Sequence, residues 1–184
     1  MKLDAKDRGF RSMICLLLLG RLAAGQAPRG WQEFTSPQGG YIVAYPKTWH
    51  LLEPSLPTLY ISNFAPSRRV RGVIVPENGA TISIVSSPVG IRDIGQWIEK
   101  DSAISRVKSR NSIALQRPQP QVPLKIVEVI FESIEGPDTA SWYFEASGRL
   151  LVANLSYWKE DPKAEAYRHV LRGVIESVRI LPSQ

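Results

Sequence analysis

The sequence predicts an α+β domain, a central antiparallel sheet flanked by helices, and three observations carry that expectation. Strand-like runs at 124–134, 140–147 and 150–158 follow one another through the short connectors Glu135-Gly136-Pro137-Asp138 and Ser147-Gly148. Strands joined by such turns pair antiparallel. In the first run, Val127, Val129 and Phe131 line one face and Leu124, Ile126 and Ile130 the other. A strand apolar on both sides belongs in a sheet covered on both faces. Two stretches with helical spacing, starting at Asp93 and at Asp161-Pro162, supply the covers.

In chain order, residues 26–30 read as a short leader. Residues 31–35 and 41–45 form a hairpin around Ser36-Pro37-Gln38-Gly39-Gly40, where Pro presets φ and Gly supplies positive φ. A third strand spans 59–64 between Pro57 and Pro66, and a long loop over 65–79 leads to the next strand, 80–86. Asp93 is a good helix N-cap, and Gln96 three residues on completes a capping box. Ile94, Trp97, Ile98 and, at the far end, Ile104 are expected to face the core. Residues 112–116 look extended, and 117–123, with three prolines, form a loop. The last helix opens with Asp161 as N-cap and Pro162 at its first position. Its apolar stripe is Ala164, Tyr167, Leu171 and Val174, widened by Val170 and Ile175, while Lys163, Glu165, Arg168, His169 and Arg172 point elsewhere. Gly173 is a weak spot for a helix. Residues 178–181 return as an extended segment on the sheet.

With 184 residues, the chain is long enough for one domain with a real core. A 43% hydrophobic and 22% charged composition is that of an ordinary folded protein. The first 25 residues differ from the rest. Lys2, Lys6, Arg8 and Arg11 precede an apolar run, 13–19, and then Leu22-Ala23-Ala24-Gly25. Basic, apolar and small is the order of a secretory signal peptide. Asp4, Asp7 and Arg21 depart from that pattern, and the alternatives are a disordered N-terminal extension or a misassigned start, with Met13 as the true first residue. The expected organisation is a signal peptide over 1–25, the leader, and one domain over 31–184. The exported product is then secreted or periplasmic. The apolar run is too short for a bilayer span of about 20 residues.

Cys15 is the only cysteine. Ser12-Met13-Ile14 before it lacks the small residue and the leucine of a lipoprotein signal, so no lipid anchor is expected. Cleavage near Gly25 leaves no cysteine, which excludes disulfides and thiol chemistry. It also removes five basic residues and two acidic ones, taking the formal charge from +6 to +3. That is too mild to argue for nucleic acid.

Chemistry-bearing motifs are scarce. His50 has Glu53 nearby, and His169 has Glu165 one helical turn before it, ordinary surface pairings. No nucleophile elbow and no phosphate-binding glycine loop is present. Glu128 and Glu132 share a strand face, where a carboxylate pair is conceivable and solvent-facing residues are the commoner case. The sharpest charge cluster is Arg68, Arg69 and Arg71 in the longest loop, three guanidinium groups able to grip carboxylate, phosphate or sulfate oxygens. A solvated loop is the plainer account of them. Trp31, Trp49, Trp97, Trp142 and Trp158 are expected mostly in the core. No catalytic residue, metal ligand or cofactor is assigned.

The opening Trp31-x-x-Phe34-Thr35-Ser36-Pro37-x-Gly39-Gly40-Tyr41-x-Val43-x-Tyr45-Pro46-x-x-Trp49 resembles that of PsbP-like domains. The ending, an amphipathic helix followed by Ile175-Glu176-Ser177-Val178-Arg179-Ile180, is similar to theirs too. The resemblance implies an α/β/α sandwich with helices on both faces of an antiparallel sheet. It implies little about activity, because its relatives act mostly by binding and a shared fold does not transfer function. The expected function is that of an exported, non-enzymatic binding or scaffold protein, monomeric, with an unknown protein or anionic ligand as partner, peripheral membrane association conceivable and nucleic acid not expected. The alternatives are an accessory subunit of a membrane-associated complex, or a carboxylate- or metal-dependent hydrolase acting on an envelope polymer.

Overall fold

The computed structural model describes residues 27–52, 58–65, 75–115, 124–134 and 136–182. The expected signal peptide over 1–25, with Cys15, and the arginine cluster and the proline loop lie outside the described residues. Among the described residues ten strands and two helices follow one another: β1 (Trp31–Ser36), β2 (Tyr41–Pro46), β3 (His50–Leu51), β4 (Leu59–Ser62), β5 (Ala80–Ser86), α1 (Ile94–Ser102), β6 (Arg106–Leu115), β7 (Leu124–Glu132), β8 (Asp138–Ala146), β9 (Arg149–Tyr157), α2 (Ala164–Glu176) and β10 (Arg179–Ile180). A seven-stranded antiparallel sheet has the order β3-β4-β5-β9-β8-β7-β6, and a smaller sheet has the order β1-β2-β10. The C-terminal segment therefore returns to the small sheet, pairing with β2.

The β8–β9 turn is built as a tight hairpin requires. Ser147 and Gly148 both take positive φ, at 49° and 77°. β6 begins at Arg106, six residues earlier than its apolar pattern suggests, because Arg106–Asn111 is a polar outer strand held by pairing to β7 rather than by burial.

Each face of the large sheet has its own core. One face packs Ile82, Ile84, Ile126, Trp142, Phe144, Leu151 and Leu155 against Tyr167, Leu171, Val174 and Ile175 of α2 and Tyr41, Val43 and Tyr45 of β2. The other gathers Val129, Tyr143 and Val152 under Trp97 and Ile98 of α1. Helices therefore flank the sheet on both sides, as predicted. Tyr41 ties the two sheets together, since its buried hydroxyl donates to Ile84 O at 2.8 Å and accepts from Leu59 N at 2.9 Å. Burial pushes that phenol up to about 12, against the opposing hydrogen bond from Leu59.

The helix ends hold both agreement and correction. Asp93 caps α1 by accepting from Gln96 N at 2.8 Å, while the Gln96 side chain accepts from Arg92 N at 2.8 Å, one residue before the usual capping-box donor. Ile104 lies past the helix end and is exposed. α2 starts at Ala164, three residues after Asp161. Asp161 is buried instead, its carboxylate accepting from Lys163 N at 2.8 Å and from the Tyr167 hydroxyl at 3.0 Å. Lys163, at the N-cap, makes no side-chain cap bond. Gly173 proves to be a contact: a Cβ there would sit 2.7 Å from Cη2 of Trp31, so the glycine lets the indole lie against α2. Arg168 does not point to solvent as its neighbours do, but turns in toward the sheet.

Candidate binding groove

α1 has nine residues, about 13 Å of helix, too short to cover its whole side of the sheet. The strands beneath change character where the helix stops. Val85, Val152, Tyr143 and Val127 form one cross-strand row under α1. The next row, two residues along each strand, reads Tyr60, Ser83, Asn154, Ser141 and Val129. The row after that reads Ser62, Thr81, Ser156, Thr139 and Phe131. Apolar side chains thus sit under the helix, and beyond its end come hydroxyls with one carboxamide, Thr81 and Ser141 buried and Ser83, Thr139, Asn154 and Ser156 half-buried.

This paving is the floor of a groove of about 480 Å³, within the range of small-ligand sites. Its floor is Thr81, Ser83, Thr139, Ser141, Asn154 and Ser156, and its sides are Thr58, Tyr60, Asp101, Ile104, Ser105 and Phe131. Three cross-strand bonds hold the floor side chains. Thr139 Oγ1 and Ser156 Oγ lie 2.9 Å apart, Ser141 Oγ donates to Asn154 Oδ1 at 2.7 Å, and Asn154 Nδ2 donates to Ser83 Oγ at 3.4 Å. Each hydroxyl keeps capacity beyond these bonds, since it carries one donor and two lone pairs. Asp101, at the end of α1, accepts from the Tyr143 hydroxyl at 2.7 Å. Burial, and then that bond to a carboxylate, raise the Tyr143 phenol far above its ordinary value. It is therefore a fixed donor that holds the carboxylate in place. Among the described lining residues Asp101 is the only charged one, and no histidine is present.

A second polar cluster lies on the opposite face, between the sheet and α2. Glu128 is 5% exposed, contrary to the expectation of a solvent-facing carboxylate. It forms an ion pair with Arg168, accepts from Trp142 Nε1 at 2.8 Å and from Asn111 Nδ2 at 3.4 Å. Burial works to raise its pKa, but the bonds from Trp142 and Arg168, with the charge of Arg168, outweigh burial and hold it below the usual carboxylate range. Burial likewise opposes the charge of Arg168, and Glu128 overcomes it and raises the guanidinium. With each member committed to another, this is a structural lock on α2.

Glu132 does not approach Glu128 as a catalytic partner. It pairs with Arg106 at 3.5 Å and Lys159 at 3.7 Å, at the rim of a cavity of about 810 Å³ at the sheet end. The buried acids near it are similarly engaged. Asp138 meets Lys108 at 3.4 Å and accepts from Ser133 N at 3.3 Å, and Asp161 serves the start of α2. Among the described residues, no group of three or more His, Cys, Asp or Glu could hold a metal ion. His50 is exposed on β3, and His169 is exposed on α2 beside Glu165 and Arg172. Trp49, Trp97 and Trp142 are core residues. Trp31 is partly buried against the core, and Trp158 anchors Val75 through its indole N–H at 2.6 Å. Arg68, Arg69 and Arg71 lie outside the described residues.

No residue of the groove floor stands out in the sequence. A signal exists, because Thr81/Ser83, Thr139/Ser141 and Asn154/Ser156 each place polar residues at i and i+2 among apolar ones. Within a single strand that alternation describes any solvated face. Only the register aligns the three pairs into one surface.

No protein-family model and no curated protein matches the chain. Among solved structures it is similar to PA94, a Pseudomonas aeruginosa protein of unknown function, at 11% identity over 84% of this chain and 98% of that one, with a TM-score of 0.42. It is also similar to the cyanobacterial PsbP protein, CyanoP, of Synechocystis, at 12% identity over 86% of this chain and 95% of that one, with a TM-score of 0.43. Neither likeness bears on ligand or activity. No helix among the described residues is long and apolar enough to cross a membrane.

Proposed function

We propose that this chain is an exported, PsbP-like binding protein with no catalytic chemistry of its own, and that its ligand lies in the groove beside α1. The observation that carries the reading is the aligned floor of hydroxyls and one carboxamide across β5, β9 and β8. Cross-bonded side chains of this kind are preorganised, which lowers the ordering cost of binding. Asp101 alone supplies neither the paired carboxylates of a glycoside hydrolase nor a nucleophile with its base. The hydrolase alternative therefore finds no support in the groove.

A photo-reactive group on a single cysteine tests the site, because the processed chain carries no other cysteine. Attached at Ser83→Cys, it should capture a component of the native envelope, whereas at Arg172→Cys on α2 it should not. Equal labelling at both positions, or none at Ser83→Cys, would overturn the assignment of the groove.

An anionic partner for Arg68, Arg69 and Arg71 is a separate proposal. Replacing all three with Ala should weaken binding to vesicles containing an anionic lipid while leaving Tm unchanged. The wild-type attraction should fade as salt shortens the Debye length to about 3 Å at 1 M.

A further inference from the structure

We infer that the groove takes a neutral saccharide, an inference that rests on the groove being the binding site. Its floor is made only of groups that both donate and accept, the hydroxyls of Thr81, Ser83, Ser141 and Ser156 and the carboxamide of Asn154 among them. A sugar ring presents the same duality, since each of its hydroxyls can donate to one neighbour and accept from the next. Among the described residues the floor has no cation to meet a phosphate, sulfate or uronate, the nearest in its rows being Arg110, one strand beyond Val129, and Asp101 repels such groups. Docked peptides anchor aromatic or aliphatic side chains in apolar pockets, whereas here Tyr60, Ile104 and Phe131 stand apart at the sides and the floor between them is polar.

Two features outside the floor fit the same ligand. Tyr60 and Phe131 stand at opposite ends of the two polar rows, on β4 and β7. Those strands are four steps apart in the sheet, roughly 20 Å at about 4.8 Å per step. An oligosaccharide lying across the strands would meet hydroxyls in the middle and an aromatic at each end. The C–H face of a pyranose packs against such rings. Asp101 adds a strong acceptor on one wall, oriented by Tyr143, where two adjacent sugar hydroxyls can donate to one carboxylate.

The test is calorimetric titration of the processed chain with neutral gluco-oligosaccharides and N-acetylglucosamine oligosaccharides, an oligo-uronate, and an unstructured neutral peptide. At least one neutral saccharide should bind, and the uronate and the peptide should not. Asn154→Ala and Ser83→Ala should each weaken the neutral saccharide about tenfold, the loss of one or two hydrogen bonds. Two variants guard against loss through misfolding, with their melting curves as the check, and Arg172→Ala should leave binding unchanged. Asp101→Asn keeps an acceptor for Tyr143 but removes the charge, so it should admit the oligo-uronate. Binding of the peptide in place of the sugars would overturn the inference, as would saccharide binding indifferent to Asn154 and Ser83. Silence from all saccharides would also overturn it. In that event, continued capture at Ser83→Cys would show that the groove is the site and only the ligand class is wrong.

Discussion

Arg168 shows how one side chain can hold a helix in register. Its guanidinium reaches from α2 to a carboxylate that is nearly fully buried, so truncation would leave Glu128 desolvated and unpaired. Arg168→Ala should cost about 3 kcal/mol, the low end for breaking a buried pair because the Arg168 side chain is 21% exposed. Arg172→Ala, one residue past the next turn's start and exposed, should stay within about 0.5 kcal/mol in the same urea melts. The pH dependence has a definite sign. The Glu128 carboxyl titrates below its ordinary 4.5 in the folded state, so its contribution is fully present above that pH. It is lost as pH falls through the lowered folded value. The stability gap between wild type and Glu128→Gln should therefore be constant above about pH 5 and shrink in acid. Gly173 makes an opposite-sign case. Helix propensity alone favours Gly173→Ala by about 1 kcal/mol, yet the new Cβ meets the Trp31 ring. The variant should lose stability, and a gain would show that the indole has room to move.

At the scale of elements, the apolar periodicities are legible and the polar roles are not. The strand over Ala80–Ser86 coincides with its sequence pattern, as does the Asp93 cap of α1. The stripe of α2 puts Leu171 at 0% exposure, so Leu171→Ala should cost about 2–5 kcal/mol in a denaturant melt. Equal small losses at Leu171 and Arg172 would contradict that helix register. Arg168, by contrast, sits on the flank of the stripe, where side-chain length lets its guanidinium reach inward to Glu128 on β7. Helical spacing cannot reveal the partner, which lies 40 residues away in sequence. The start of α2 is misread for a related reason. Asp161-Pro162 is a sound N-terminal signal, but the Asp161 carboxylate is drawn to Tyr167 and Lys163 N, and the helix begins at Ala164, two residues later than expected. β6 lacks an apolar signature through its first half because pairing with β7 defines it.

For the whole molecule, the two faces of the large sheet do different work. One is sealed by α2 and the small sheet, with the Glu128–Arg168 pair closed inside it. Among the described residues the other is covered by a helix only as far as α1 reaches, and the part beyond is paved with neutral polar groups, most of them bonded to one another. A fold that simply needed solubility could carry charges on an open sheet face; the bulged edge strand β6 does carry them, Arg106 on the α2 side and Arg110 on the α1 side. The proposed export would fit an envelope ligand, and mass spectrometry of the full chain expressed in a bacterial host should find processing between about residues 24 and 27. An intact Met1 on cytoplasmic material would contradict it. The groove itself is tested most directly by amide chemical-shift mapping of the processed chain titrated with a neutral envelope oligosaccharide. Binding at the groove predicts saturable shifts confined to residues 81–83, 139–141, 154–156 and the end of α1 around Asp101. Shifts centred on α2, or on the sheet end around Glu132 and Asp138, would contradict it.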